Sequence, residues 1–382
     1  MTGGPIHVIV LTKNRPDTLV RCVRQLSLDI DDRLTILDDS CDEVYQLARR
    51  LLCQVGTPET FSHWSTVRLF SALAGRLPVD ALEWTDRRSG RDIAPLRNLS
   101  LLISACQPSA LTALIDDDIT GFDLCATRCS AARILQSACP ALIGACITGI
   151  DEEGVIDRYT NALDMFEGCD QKLDLQPDAR TLFQTSPPEV PNSPAAVDYV
   201  SGGYLVFSLS GEPLIAFPPG YNEDWLWCLE LLYHGRAKVF RLPQVVRHEP
   251  PAIRSLTADD LSFELLGDLV FDLATRSRTP PLALSALSFA QTITDTIHPS
   301  ARVSELIRRS RLPRRTHPFL EAGLAILCDL QAQGSLSVDW EAEEHLWKED
   351  AERKQRSFGR VLTAHKEAVE SLFYQRTVSY EH

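Results

Sequence analysis

The sequence predicts an α/β protein: a doubly wound, mostly parallel sheet followed by an all-α C-terminal extension. Three observations carry that expectation. Short apolar runs alternate with helical periodicity over residues 1–120, the order that builds a parallel sheet from crossover units. Polar clusters stand where three of those runs end, at 12–15, 38–39 and 116–118. Ligands of open α/β sheets bind there, outside the carboxyl ends of the strands. Beyond about Leu256 strand signals stop and helical periodicity takes over.

Residues 6–11 form a near-continuous apolar run, the pattern of a strand buried on both faces. Thr12-Lys13-Asn14-Arg15-Pro16 breaks it, and Asp17 or Thr18 supplies a cap for a helix to about residue 28. A second strand over 34–37 ends at Asp38-Asp39-Ser40, and 43–52 is helical. Over 56–95 the pattern weakens; a helix over 67–77, a strand over 81–84 and a charged, glycine-containing loop over 87–92 are expected. A helix over 95–106 leads into the strand 111–115, which ends in Asp116-Asp117-Asp118. A helix over 122–139 follows, then strands over 141–150 and 155–161 joined by the turn Asp151-Glu152-Glu153-Gly154. Pro177, Pro187, Pro188, Pro191 and Pro194 mark 176–195 as a long loop. Ser201-Gly202-Gly203 precedes a strand over 204–208, and two adjacent glycines suit close backbone approach or a special dihedral. Tyr221-Asn222-Glu223-Asp224-Trp225 opens a helix through Tyr233, and short strands over 239–242 and 245–246 end at His248. C-terminal helices are expected over 258–274, 282–297, 303–309, 318–333 and 338–374. The last carries Trp340, Trp347, Phe358, Leu362, Val369 and Phe373 at roughly helical intervals.

The chain has 382 residues, 44% hydrophobic and 24% charged, with a formal net charge of -14. An acidic surface makes nucleic acid and anionic membranes unfavourable partners, because both demand basic residues. No run of 18 or more apolar residues exists, so no membrane span is expected. Residues 1–7 lack a basic and apolar signal pattern. Eleven cysteines without a C-x-x-C pair read as reduced thiols of a cytoplasmic protein.

Three adjacent carboxylates repel one another, and a buried strand end holds them only with a counter-charge. A hard divalent cation, Mg²⁺ or Mn²⁺, supplies one and takes substrate phosphate oxygens as well. The alternative is a solvated acidic turn.

In their order along the chain, these blocks resemble the nucleotide-sugar glycosyltransferases of the GT-A fold, family 2 above all, over about residues 5–250. Val8-Ile9-Val10-Leu11-Thr12-Lys13-Asn14-Arg15 is similar to the first strand and nucleotide loop, and Leu34-Thr35-Ile36-Leu37-Asp38-Asp39-Ser40 to the second strand. Arg97-Asn98 resembles the element before the metal strand, Asp116-Asp117-Asp118 the DxD motif, Ser201-Gly202-Gly203 the acceptor-side strand, and Glu223-Asp224-Trp225 the head of the acceptor helix. The resemblance implies a Rossmann-like GT-A catalytic domain over 1–255, with a donor half to about 120 and an acceptor half beyond it. Residues 256–382 are then a helical region that packs on this domain or forms a homodimer. It implies a nucleoside diphosphate sugar donor, an acceptor hydroxyl of unnamed class, and Mn²⁺ or Mg²⁺. Thr12, Asn14 and Arg15 would line the nucleotide pocket, Asp39 would accept from the base N–H, and Arg97 would pair with a donor phosphate. Asp118 would bind the metal directly. Asp116 would bind it through water or contact the sugar, and Asp117 is grouped with the donor residues. His248 is either a third metal ligand or a hydrogen-bonded structural histidine. Gly202, Gly203 and Trp225 fall on the acceptor side; Trp225 or Trp227 either stacks on a sugar or joins the core. Asp224, with Glu223 second, is the candidate general base, which implies inversion. Alternatively, the two acids only complement a helix dipole.

Two departures narrow the class. The chain has no QxxRW motif, which argues against a processive synthase, and no glycine in 12–17, which argues against a sugar-nucleotide pyrophosphorylase. A retaining transferase and a non-catalytic nucleotide-sugar binder that recruits a partner remain the competing readings.

Overall fold

The computed structural model describes residues 4–55, 61–87, 92–106, 111–137, 140–149, 191–208, 215–220, 222–249, 267, 270, 271, 273–284 and 340–377. The strand and turn expected over 151–161, most of the loop over 176–195, most of the helix over 258–274 and the helices over 303–309 and 318–333 lie outside them. So does the expected helix over 282–297, apart from its first three residues.

The strands are β1 (Ile6–Thr12), β2 (Arg33–Asp38), β3 (Phe61–Ser65), β4 (Leu111–Asp116), β5 (Ile119–Thr120), β6 (Ala141–Gly149), β7 (Ala195–Ala196), β8 (Tyr204–Ser208) and β9 (Lys238–His248). They form one sheet in the order β3-β2-β1-β4-β8-β6-β9-β5, with β7 on β9. The first four are mutually parallel. β8 is antiparallel to both β4 and β6, while β6 and β9 are parallel. The architecture is the α/β class expected, parallel through its first half and mixed through its second.

The helices are α1 (Pro16–Gln25), α2 (Asp42–Cys53), α3 (Thr66–Ala74), α4 (Ala94–Cys106), α5 (Leu124–Ser137), α6 (Glu223–Tyr233), α7 (Trp340–Ala364) and α8 (Lys366–Thr377). Side chains of a strand alternate between faces, and β1 shows the result. Val8 and Val10 join a core with α1, α2 and α5. Ile9 and Leu11 join a second core with α3, α4, α6, α7 and α8. A sheet buried on both faces accounts for the unbroken apolar run of β1.

Several elements depart from the sequence expectation for local reasons. α1 begins at Pro16, whose fixed φ suits the first helical position, so Asp17 and Thr18 lie inside the helix; Arg15 is the N-cap, without a side-chain cap bond. β3 carries no apolar run; among the described residues it is the terminal strand, paired with β2, and it presents Ser62 and His63. The strand expected over 81–84 is instead two 3-10 turns, Val79–Ala81 and Glu83–Thr85. Fully buried Trp84 anchors them edge-on to Phe70 and Phe358. The two short strands expected near 240 are one strand, β9, with a register shift opposite Gly144 and Cys146. At the expected start of the 282–297 helix stands a 3-10 turn, Pro281–Ala283. The long last helix is broken at His365 into α7 and α8.

α7 and α8 pack on the same chain's sheet layer: Phe358, Val361, Val369, Leu372 and Phe373 belong to the core that holds α3 and α4. Phe373 meets Trp64 of β3 edge-on at 5.8 Å. Among the described residues, no helix is long and apolar enough to cross a membrane.

His7 sits in β1 fully buried, with Nε2 2.9 Å from the Thr35 hydroxyl and Nδ1 without a hydrogen-bond partner. Burial, with Arg33 adding to it, lowers its pKa from 6.5 to about 4. The unfolded chain therefore binds a proton between those values and the folded chain does not. Stability contributed by neutral His7 is complete above pH ~6.5 and falls as the pH drops through about 4, by ~3 kcal/mol. Urea titrations from pH 7 to 4 should show this loss, and His7→Gln should flatten the slope across that interval.

Candidate active site

The carboxyl ends of β1, β2 and β4 are level. Thr12 pairs in register with Asp38, and Leu11 with Asp116. Three backbone bonds tie these ends together: Asp39 N–H to Thr12 O at 2.9 Å, Asp117 N–H to Leu11 O at 3.1 Å, and Asp116 N–H to Gly203 O at 3.0 Å. From the far side of the sheet, Glu249 N–H donates to Asp118 O at 2.8 Å, and Ile119 pairs with His248. Thus the loops at 12–15, 38–39, 116–118, 201–203 and 248–249 converge.

The acidic triplet divides by residue. Asp117 is fully buried; its carboxylate accepts the Thr12 hydroxyl at 2.6 Å and pairs with Arg15 at 2.6 Å. Asp117 and Thr12 thereby bolt the β1 loop to the end of β4. Burial raises the Asp117 pKa, to about 8. Asp118 pairs with Arg15 and stands 3.3 Å from His248 Nε2. Burial alone would raise its pKa, but His248 and Arg15 more than offset this and hold it below the usual carboxylate range. Asp116 is half-buried, and its Oδ1 lacks a hydrogen-bond partner. Burial raises its pKa to about 6 against the pull of Arg97.

Arg97, on the first turn of α4, is 5% exposed. Its guanidinium stands 3.0 Å from Glu223, 3.8 Å from Asp224 and 3.5 Å from Asp116. The structure thus gives Arg97 three carboxylate partners from the protein itself. Glu223 and Asp224 open α6 behind Asn222, whose φ of 59° is left-handed. Asp224 accepts from the N–H groups of Gly202 and Trp225. The guanidinium of Arg97 fills the space a Gly202 side chain would occupy. Trp225 is half-buried against Tyr199 and Phe271, and Trp227 is core, stacked on Phe217 at 4.2 Å.

Asp39 lies beside this group. Arg87 grips its carboxylate with two bonds of 2.8 Å, Thr66 donates at 2.7 Å, and Lys13 approaches to 3.1 Å. Burial is overcome by these partners and its pKa is lowered. Asn14, at φ 55°, donates its N–H to Ser40 and accepts from Cys41 N–H. Sequence reasoning missed Arg87; its loop was legible only as charged, and no pattern links it to Asp39.

The structure is similar to solved nucleotide-sugar glycosyltransferases. One is glucosyl-3-phosphoglycerate synthase from Mycobacterium tuberculosis in complex with Mn²⁺, UDP and glucosyl-3-phosphoglycerate. It is 17% identical with a TM-score of 0.39, and the match covers 73% of this chain and 81% of that one. Another is a mannosyltransferase from Pyrobaculum calidifontis in complex with GDP-Man and Mn²⁺, 14% identical with a TM-score of 0.40, covering 100% of this chain and 88% of that one. No family model and no curated protein matches the sequence.

The geometry separates the two glycines. Gly202→Ala should drive Arg97 off its three carboxylates and cost ~3–5 kcal/mol, the range for breaking a buried ion pair. Gly203→Ala meets the side-chain ends of Ile119, at 3.1 Å, and Ile147, at 3.4 Å, which can give way, and should cost under ~1 kcal/mol. Urea midpoints of the two variants, side by side, check the contrast.

Proposed function

We propose that this chain is a divalent-metal-dependent glycosyltransferase that moves a sugar from a nucleoside diphosphate sugar to an acceptor hydroxyl with inversion. One observation carries the reading: among the described residues, carboxylates outnumber guanidinium groups at the carboxyl end of the sheet. Five carboxylates, from Asp116, Asp117, Asp118, Glu223 and Asp224, face two guanidinium groups, those of Arg15 and Arg97. A hard cation bridging to phosphate oxygens relieves such an excess.

The donor set fits Mn²⁺ or Mg²⁺ in part. The unpartnered Oδ1 of Asp116 and the Asp118–His248 pair supply oxygen and nitrogen donors of the right kind. Among the described residues, however, no three acidic, histidine or cysteine side chains stand close enough to hold a metal ion. In this reading Arg15 holds Asp118 in place, and Asp118, Asp116 and His248 would hold the ion. When bound, the cation would neutralise the diphosphate as it leaves. Asp39, balanced by Arg87 and Lys13, would recognise the base, with Asn14 shaping its loop. Asp224 would take the acceptor proton, Glu223 would assist, and Gly202, Gly203 and Trp225 would border the acceptor. Arg97 would orient both acids toward the side of Asp116.

A second reading has its own observation. Both Asp224 oxygens already accept backbone N–H groups. If Asp224 only holds the Gly202 turn, transfer needs no base and proceeds with retention. The anomeric configuration of the product, read by NMR, decides between the two.

Asp118→Ala should abolish transfer and remove the stabilisation that Mn²⁺ plus a nucleoside diphosphate gives in a thermal-shift titration. Retention of both would refute the metal assignment. Asp224→Asn should lower transfer ~10²–10⁴-fold with nucleotide affinity nearly unchanged, and Glu223→Gln should do less. A severe loss in Glu223→Gln with a mild one in Asp224→Asn would exchange their roles.

A further inference from the structure

One C-terminal helix touches both halves of the candidate site. On the donor side, Arg353 of α7 pairs with Asp86 at 3.0 Å, and Ser357 Oγ accepts the Trp84 N–H at 3.3 Å. Lys354, 2% exposed, stands 3.7 Å from Asp92 and 3.3 Å from Asp350. Asp86 precedes Arg87, which grips Asp39. Asp92 accepts the Ala94 N–H at 3.2 Å and so caps α4, the helix of Arg97. On the acceptor side, Trp347 Nε1–H donates to Pro219 O at 2.6 Å, and Gln355 Oε1 accepts the Ala216 N–H at 2.7 Å.

The stretch 215–220 has no ladder of its own. Its backbone is held by side chains: Asn98 of α4 bonds both polar groups of Phe217, and Trp347 and Gln355 hold the two flanks. It leads directly into Asn222, Glu223 and Asp224. Gly220, at φ 126°, turns the chain under the Trp347 indole, and a side chain there would come within 3.3 Å of Nε1. From Trp347 to Ser357 is ~15 Å of stiff helix axis.

We propose that α7 is a brace that sets the spacing between the nucleotide pocket and the acceptor-side acids. Trp347 and Gln355 are positioning residues for Glu223 and Asp224; Arg353 is a positioning residue for Arg87 and Asp39, and Lys354, through Asp92, for the helix of Arg97. The catalytic consequence rests on the glycosyltransferase reading. Group transfer is sensitive to such spacing, since a misplacement of ~1 Å can cost ~10²-fold in rate.

The test uses the full chain with Trp347→Phe, which keeps a ring but removes the N–H donor, and Arg353→Ala, which removes a half-exposed pair. Amide hydrogen exchange is read at 222–226 and at 83–87. Trp347→Phe should speed exchange ~10-fold at 222–226 and leave 83–87 protected; Arg353→Ala should do the reverse. If both stretches loosen together in either variant, or neither stretch responds, the brace is refuted. Turnover is then read with a panel of UDP- and GDP-sugars and Mn²⁺. Trp347→Phe should lower kcat ~10-fold with donor KM within about twofold, and Arg353→Ala should raise donor KM several-fold at unchanged kcat. Equal changes in both parameters for both variants would overturn the positioning roles. A wild-type protein that binds and turns over no sugar nucleotide would refute the proposed function, while the exchange pattern would still decide the brace.

Discussion

The buried guanidinium of Arg97 is the constraint around which the site is arranged. A charge withdrawn from water is tolerated only with close counter-charges, and removing one partner of such a group costs several kcal/mol. Three carboxylates from two other elements meet it, Asp116 at the end of β4 and Glu223 and Asp224 at the head of α6. That arrangement dictates its surroundings. Residue 202 must lack a side chain, because the guanidinium occupies that space. The 201–203 turn must offer an N–H to Asp224, and the Gly203 carbonyl accepts from Asp116. Acids from the end of β4 and the head of α6 are thereby held around one cation.

A second guanidinium, that of Arg15, performs the matching task on the other side of the triplet. It links the loop after β1 to Asp117 and Asp118, so the first strand and the acidic strand share an electrostatic joint as well as a backbone ladder. Within the triplet, depth separates the residues. Asp117 lies fully buried against β1, its carboxylate engaged by Thr12 and Arg15, whereas Asp116 keeps an unpartnered oxygen and Asp118 meets His248. Three identical side chains therefore take two different tasks, a structural joint and a candidate ligand pair.

The sheet has two cores, and they are not equivalent for the site. The face with α1, α2 and α5 is closed by elements near in sequence. The other face is closed partly by α7 and α8, which bring Phe358, Val361 and Phe373 from the far end of the chain. Of these two helices, α7 also bonds the stretches that lead to Arg87 and to Glu223. The C-terminal helices are thus tied to the geometry of the polar groups above the sheet as well as to its stability.

What the sequence determined by itself was whatever a local pattern could encode. Continuous apolar runs announced β1 and β4, because strands buried on both faces need apolar side chains at every position. Polar punctuation at 12–15, 38–39 and 116–118 announced the carboxyl end of the sheet, where these loops converge, and the order of the blocks announced the fold class. Strand β3 was not legible, since a terminal strand with Ser62 and His63 shows no such run, and neither were the 3-10 turns anchored by Trp84. Only the tertiary structure decided the partners. It brought Arg97 to Glu223 and Asp224, turned Asp117 and Thr12 inward, and placed Arg87 on Asp39 and Trp347 on Pro219. These are contacts between residues remote along the chain. A charge reads the same in sequence whether it is solvated or buried, and its role follows from the counter-charge that folding brings within reach.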